Sequence, residues 1–185
     1  MNAKPSHQVA IFGWAGTGKT SSGKLIAKEL GFEFISTGNI FRNMAIKRGV
    51  TSQELEALAE ADDSIDHEID DFIMELGRTR SHILVESRLA HFFMPETAIR
   101  MKFYCTDDER FRRIAEREKK SINQAGRETR EREKIITKRY EALYGITGFW
   151  KARHFNIVLN TTICPQELTV KKAVTEINAL LASRT

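Results

Sequence analysis

The chain has 185 residues, enough for one domain with a substantial core, and 41% apolar with 29% charged residues is the composition of an ordinary water-soluble globule. No apolar run is long enough to span a bilayer and no signal-peptide pattern opens the chain, so no membrane partner is expected and the location is read as cytoplasmic. Cys105 and Cys164 lie in or beside apolar stretches without a His or Cys at zinc-ligand spacing, which predicts thiols packed as small hydrophobes and no structural metal.

The net charge of +4 is concentrated: twelve Lys/Arg and eight Asp/Glu lie between Asp107 and Arg139. Acids are interleaved throughout that segment and no aromatic ladder accompanies the bases, so no nucleic-acid partner is expected. Arginines set out for the phosphates of a small ligand explain the excess better.

In chain order, polar residues 1–7 lead into Gln8–Phe12, an apolar run that reads as a buried strand. Gly13-Trp14-Ala15-Gly16-Thr17-Gly18-Lys19-Thr20 follows and fits G-x-x-x-x-G-K-[ST] in full. Leu25, Ile26 and Leu30 then recur at helical spacing, completing a strand–loop–helix order. A glycine loop in that position turns backbone N–H groups onto phosphate oxygens, and the helix behind it adds the positive end of its dipole. Lys19 is expected on the β- and γ-phosphates of ATP, and the Thr20 hydroxyl on Mg²⁺. Trp14 is expected to do no more than shield the phosphates.

Phe32–Ser36 reads as a second strand ended by Thr37-Gly38-Asn39, and Ile40–Ile46 as a short helix stopping at Gly49. Thr51-Ser52-Gln53-Glu54 looks like the start of another helix, and Ile65, Ile69, Phe72, Ile73 and Leu76 line one face of a third. The acids Asp62, Asp63 and Glu68–Asp71 are expected on a solvated face. Ser81–Glu86 and Ile99–Tyr104 read as strands, the second alternating apolar and basic residues. Helix is expected from Asp107, resuming after Ser121 to about Tyr144. Phe155–Leu159 is the last strand and Pro165–Leu181 the last helix, with Pro165 in its first turn. Strands alternating with helices imply a parallel sheet wrapped by helices, an α/β fold in one domain with inserted helices.

A phosphate loop alone leaves hydrolase, motor and kinase open. Thr37, Gly38 and Arg42 stand at the end of the second strand, where open α/β sheets place ligands, and a guanidinium there suits a bidentate grip on a phosphate. Glu86 ends the third strand, where it can hold Mg²⁺ through water beside Thr20, and Arg88 can face a second substrate. Arg113 and Arg117 share one helical face, as do Arg132 and Arg139. Two arginine faces suit a lid that closes over polyphosphate. Neither Asp-x-x-Gly nor Asn-Lys-x-Asp is present, against a GTPase. No Gly-x-Ser-x-Gly surrounds Ser81, Ser87 or His91, against a serine hydrolase.

The ordered set Gly13–Thr20 and Ile35–Arg42 resembles the nucleoside monophosphate kinases. Asp66-His67-Glu68-Ile69-Asp70, Leu84–Ala90, Arg130–Glu133 and Lys138–Ile146 narrow the resemblance to the archaeal-type cytidylate kinases, over about residues 8–177. It implies a P-loop core with a five-stranded parallel sheet, a helical monophosphate-binding insert at about 37–77 and a helical lid at about 113–140. It also implies transfer of the ATP γ-phosphoryl group to CMP or dCMP, with Mg²⁺. Carried over, Gly13–Thr20 with Arg113 and Arg117 would serve ATP, and Thr37, Gly38, Arg42 and Arg88 the acceptor. Lys19, Arg132 and Arg139 would act on the transferring phosphate. Two positions depart from the family pattern. Ser87 stands for a usual glycine and is expected to crowd the magnesium water or the acceptor. Ile136 stands for a usual acid, and its loss is expected to loosen the lid arginines or the acceptor sugar. Three functions stay open on the residues: a CMP/dCMP kinase, a small P-loop kinase for AMP, UMP or a metabolite, and an ATP-binding protein without transferase activity.

Overall fold

In the computed structural model, which describes residues 7–184, five strands form one parallel sheet. They are β1 (Gln8–Phe12), β2 (Glu33–Ser36), β3 (Ile83–Glu86), β4 (Ile99–Tyr104) and β5 (Ile157–Asn160), in the order β2-β3-β1-β4-β5. The residues 1–6 of the polar leader lie outside the described residues. β1 is buried at every position, as a central strand covered on both faces must be, which is why it reads as an unbroken apolar run.

The helices are α1 (Lys19–Leu30), α2 (Thr37–Lys47), α3 (Ser52–Ala61), α4 (Ser64–Thr79), α5 (Ala90–Phe93), α6 (Asp107–Glu118), α7 (Ile122–Tyr144) and α8 (Gln166–Ala182). α1 and α8 cover one face of the sheet: Ile26 and Ala27 from α1, and Ala173 and Ile177 from α8, pack on Val9, Ile99, Met101 and Phe103. On the other face Ile73 and Leu76 of α4 and Ala90 of α5 meet Ala10, Ile83 and Val85. Further along, Phe12, Leu89, Ile136, Tyr140 and Phe149 form an aromatic-rich cluster that seats α7 on the sheet. The alternation in β4 has its expected cause. Ile99, Met101 and Phe103 are buried, whereas Arg100 and Lys102 lie on the opposite face, with Lys102 Nζ donating to the Trp150 carbonyl.

Several boundaries differ from the expected ones. Thr37-Gly38-Asn39 is the first turn of α2 rather than a turn ending the strand, because β2 runs straight into a helix whose Ser36 cap makes no side-chain hydrogen bond. Ser81 and His82 lie outside β3: His82 sits at φ 58°, a left-handed conformation that delays strand pairing until Ile83. Phe32 precedes β2, and β5 starts at Ile157 because a 3-10 turn, Ala152–His154, occupies the approach. Pro165 caps α8 instead of opening its first turn. α3 begins as expected, with Thr51 Oγ1 accepting from Glu54 N and the Glu54 carboxylate accepting from Thr51 N.

Candidate active site

The phosphate loop is held from outside. Ile11 pairs with Glu86 in the sheet, so β1 and β3 deliver Gly13 and Glu86 to the same rim. Beyond it the loop carbonyls are taken up by distant side chains: Arg110 Nε donates to Ala15 O at 2.7 Å, Arg113 Nη1 to Gly16 O at 3.3 Å, and Thr161 Oγ1 to Thr17 O at 3.0 Å. With its carbonyls bound outward, the loop is left to present N–H groups inward. Gly16 and Gly18 sit at φ 81° and 78°, which a side chain resists, and a Cβ on Gly16 would come within 2.7 Å of Arg110 O. Gly18 then caps α1 with no side-chain bond, leaving the helix N-terminus open to an anion. Trp14 does not hang over the loop as a shield. Its ring packs against Phe12, Phe149 and Trp150 at centroid distances of 5.5, 5.5 and 6.0 Å, so its half-buried side chain belongs to the aromatic cluster.

Lys19 Nζ lies 3.5 Å from Glu86 Oε1, and the Thr20 hydroxyl donates to that same oxygen at 3.0 Å. Burial holds the Lys19 ammonium below its ordinary pKa; Glu86 opposes this, while Arg88 and Arg117 add to it. Glu86 Oε2 is buried and has no hydrogen-bond partner among the described residues. A threonine hydroxyl beside an unpartnered buried carboxylate oxygen is a hard-oxygen set of the kind Mg²⁺ accepts.

At the end of β2, Thr37 Oγ1 donates to Glu86 O at 3.2 Å, tying the start of α2 to β3. Arg42 Nη1 lies 3.6 Å from where a Gly38 Cβ would be, and its Nη2 bonds Asn39 Oδ1. One guanidinium and an uncapped helix N-terminus therefore stand together.

The other arginines divide into two groups. Arg113 is spent on protein: besides Gly16 O it donates to Thr161 O at 2.7 Å and to Glu109 at 2.8 Å. Arg117, one turn on, is exposed and paired only with its neighbour Glu118. On α7, Arg132 Nη2 and Nε lie 2.5 and 3.0 Å from Glu56 Oε1 of α3, and Arg88 Nη2 is 4.0 Å from the same oxygen. Arg88 also meets the Tyr140 hydroxyl. Arg139 is buried against Asp66 of α4, Nε and Oδ2 standing 3.0 Å apart without hydrogen-bond alignment and Nη2 donating to Oδ1 at 3.3 Å.

Some expectations about the acids and departures need correction. Of the acids expected on a solvated face, Asp70 is 7% exposed and accepts from Tyr144 OH at 2.5 Å, because α7 lies across α4; Asp62, Asp63, Glu68 and Asp71 are exposed. Ser87 does not crowd the cleft, since its buried hydroxyl turns back to accept from Leu89 N at 3.3 Å. Ile136 is 2% exposed in the aromatic cluster; the neighbouring arginines are held by Glu56 and Asp66 from other helices. His91 is structural, its Nε2 bonded to Phe149 O, and burial lowers its pKa to about 4. Cys105 is buried, Cys164 half-buried, and both are free thiols.

Sequence reasoning missed Arg110, 3% exposed, which joins the loop to Asp107 and Glu133. Its spacing with Arg113 and Arg117 on α6 was the available signal. Glu56 had none, since a lone acid on an amphipathic helix looks like any other until its partner, 76 residues away, is placed; Asp66 stood in a family motif that did not reveal Arg139, 73 residues away, as its partner.

A parallel sheet of this order, with a glycine loop entering α1 and a lysine and threonine sharing one buried carboxylate, defines a P-loop kinase. The fold is shared with shikimate kinase from Bacteroides thetaiotaomicron, which superposes with a TM-score of 0.63 at 18% identity, over 95% of this chain and 98% of that one. The chain belongs to the cytidylate kinase-like family, whose profile matches residues 8–163. It is 31% identical to the cytidylate kinase of Methanobrevibacter smithii, over 93% of this chain and 99% of that protein. It is 41% identical to that of Haloarcula marismortui, over 75% and 72% of the two chains.

Proposed function

We propose that this protein is a nucleoside monophosphate kinase that transfers the γ-phosphoryl group of ATP to CMP or dCMP. The observation that carries the reading is the Lys19 ammonium and the Thr20 hydroxyl meeting one oxygen of buried Glu86 where the phosphate loop enters α1, in a chain of the cytidylate kinase-like family. Gly13–Thr20 would cradle the ATP phosphates, with Arg117 reaching them and the flat face of Arg113 toward the adenine. Thr37, Gly38 and Arg42 would receive the acceptor phosphate, and Arg88 the acceptor nucleotide. α2–α4 would form the monophosphate-binding insert and α6–α7 the lid. Thr20, and Glu86 through water, would hold Mg²⁺, which when bound supplies positive charge against the β- and γ-phosphate oxygens.

The chain's own residues have electrostatic work rather than proton transfer to do. A phosphate monoester has a second pKa near 6, so at neutral pH the acceptor oxygen is already largely ionised. Lys19, Arg88 and Arg132 screen two mutually repelling polyanions and align them in line, with Arg139 behind them on Asp66. Closure of α6–α7 excludes water, the competing nucleophile. Among the described residues no helix is long and apolar enough to cross a membrane, and a cytoplasmic location suits a consumer of free nucleotides. A coupled assay with CMP, dCMP, UMP, AMP and small-metabolite acceptors tests the proposal. Turnover is expected to be fastest with CMP or dCMP; preference for another acceptor, or ATP binding without turnover on any, overturns it.

A further inference from the structure

Glu56 stands between two arginines proposed to serve the ligands, Arg88 on the acceptor nucleotide and Arg132 on the transferring phosphate. Its Oε1 is 2.5 and 3.0 Å from Arg132 and 4.0 Å from Arg88, so a single oxygen lies between guanidinium groups carried by two elements, α7 and the turn after β3. Arg88 in turn acts on Lys19. An anion entering between Arg88 and Arg132 meets Glu56 first. Two like-charged groups cannot share that space, so one must leave.

We infer that Glu56 is a positioning residue: a resident carboxylate that holds Arg88 and Arg132 together until the bound acceptor monophosphate displaces it. The inference rests on the kinase reading for the identity of the anion. The pair is built to part. Arg132 is half exposed and Glu56 one-fifth exposed, so solvent weakens their attraction, and a phosphate offers each guanidinium a stronger, two-oxygen acceptor. Arg139 and Asp66, one-tenth exposed or less, have no such freedom and anchor the same helix to α4. α7 thus has one fixed attachment and one that yields.

The consequence is a cost placed on acceptor binding alone. Calorimetric titration of the full chain with CMP, UMP and AMP, and separately with Mg·ADP for the phosphate loop, reads it. Glu56→Gln keeps shape and removes charge. It is expected to tighten every monophosphate by a common factor, roughly twofold to fivefold, the range that a partly exposed ion pair supports, with ADP changed less than twofold. Glu56→Asp withdraws the charge without removing it and gives a smaller gain, which serves also if the Gln variant fails to fold. The gain is expected to shrink in an Arg132→Ala background and to be absent in Glu116→Gln, an exposed acid paired on the outer side of α6. Weaker CMP binding by Glu56→Gln, as would follow if the carboxylate accepted from the base or sugar, overturns the inference. So does equal tightening of ADP, or an equal gain in Glu116→Gln. A preference for UMP or AMP over CMP would overturn the acceptor assignment while leaving the common factor intact, so the two failures are distinguishable.

Discussion

Lys19 sits in a compromise that only a polyanion resolves. Burial disfavours its charge, Glu86 restores part of it, and Arg88 and Arg117 oppose it again, so the ammonium is under-neutralised without ligand. Lys19→Ala is expected to lower phosphoryl transfer by at least roughly 10²-fold, the loss of a preorganised group facing developing charge, with little change in unfolding temperature. Ordinary turnover in a steady-state assay of the variant would refute the role. Arg42 belongs to the other end of the cleft, beside Gly38 and the uncapped start of α2. Arg42→Ala is therefore expected to weaken CMP by roughly tenfold or more, the worth of a charge-assisted hydrogen bond, and ATP hardly at all. Equal losses in the two dissociation constants would count against it. At this scale the sequence was readable wherever a residue's job is set by its neighbours in the chain, as in Gly13–Thr20. It misled where the partner is remote: Trp14 turned into the aromatic cluster, because Phe149 and Trp150 come to lie beside the loop only in the fold.

The element that organises the cleft is α7, and its contacts with α3 and α4 form a row: Arg132 to Glu56, Arg139 to Asp66, Tyr144 to Asp70. The row leaves a titration signature. Desolvation raises the Asp70 carboxyl from an ordinary value near 3.8 to about 6, against the hydrogen bond from Tyr144; Asp66 and Asp71 add to the rise and His67 opposes it. The folded state therefore holds this proton more tightly than the unfolded chain does. Its contribution to stability is complete below about pH 4 and is lost as pH climbs through about 6. Asp70→Asn cannot titrate, so wild-type stability should fall relative to the variant by up to about 3 kcal/mol between pH 4 and 7. Urea unfolding at unit steps of pH measures this, and a constant gap between the two proteins would contradict it. The amphipathic spacing of α4 announced the helix and most of its apolar face, with Ile65, Ile73 and Leu76 buried, but Phe72 is 42% exposed. It gave no sign that the flank bearing Asp66 and Asp70 is covered too, since the cover, α7, follows more than 40 residues after α4 ends. Boundaries failed for a related reason: His82 O accepts from Glu33 N of β2 but His82 sits at φ 58°, off the extended backbone, and Phe32 N turns back to Ala27 O of α1 instead of pairing with a strand.

For the molecule as a whole, the sheet and the α1–α8 face form one rigid support, with the loop and Glu86 fixed at its rim. The parts proposed to touch both nucleotides join that support through α4 and α7 and also carry small cores of their own. α2–α4 hold their own small core of Met44, Ala45, Leu55, Ala59 and Ile65, and α6–α7 another of Ile114, Ala115 and Ala125. With Ile73 and Leu76 of α4 and Ile136 and Tyr140 of α7 packed at the sheet, closure is left to the segments built on these small cores, α2–α3 and the α6–α7 junction, which can shift without opening the sheet. A two-headed inhibitor joining adenosine to cytidine through five phosphates occupies both ends of the cleft and should draw the bodies together. Hydrogen exchange is then expected to slow across residues 37–79 and 107–144, with the amides of α8 unchanged. ADP alone should protect the phosphate loop and the start of α1 without slowing 37–79. Protection confined to the loop with the two-headed compound would mean that the insert and lid do not move as bodies, and the division proposed for the chain would fall with it.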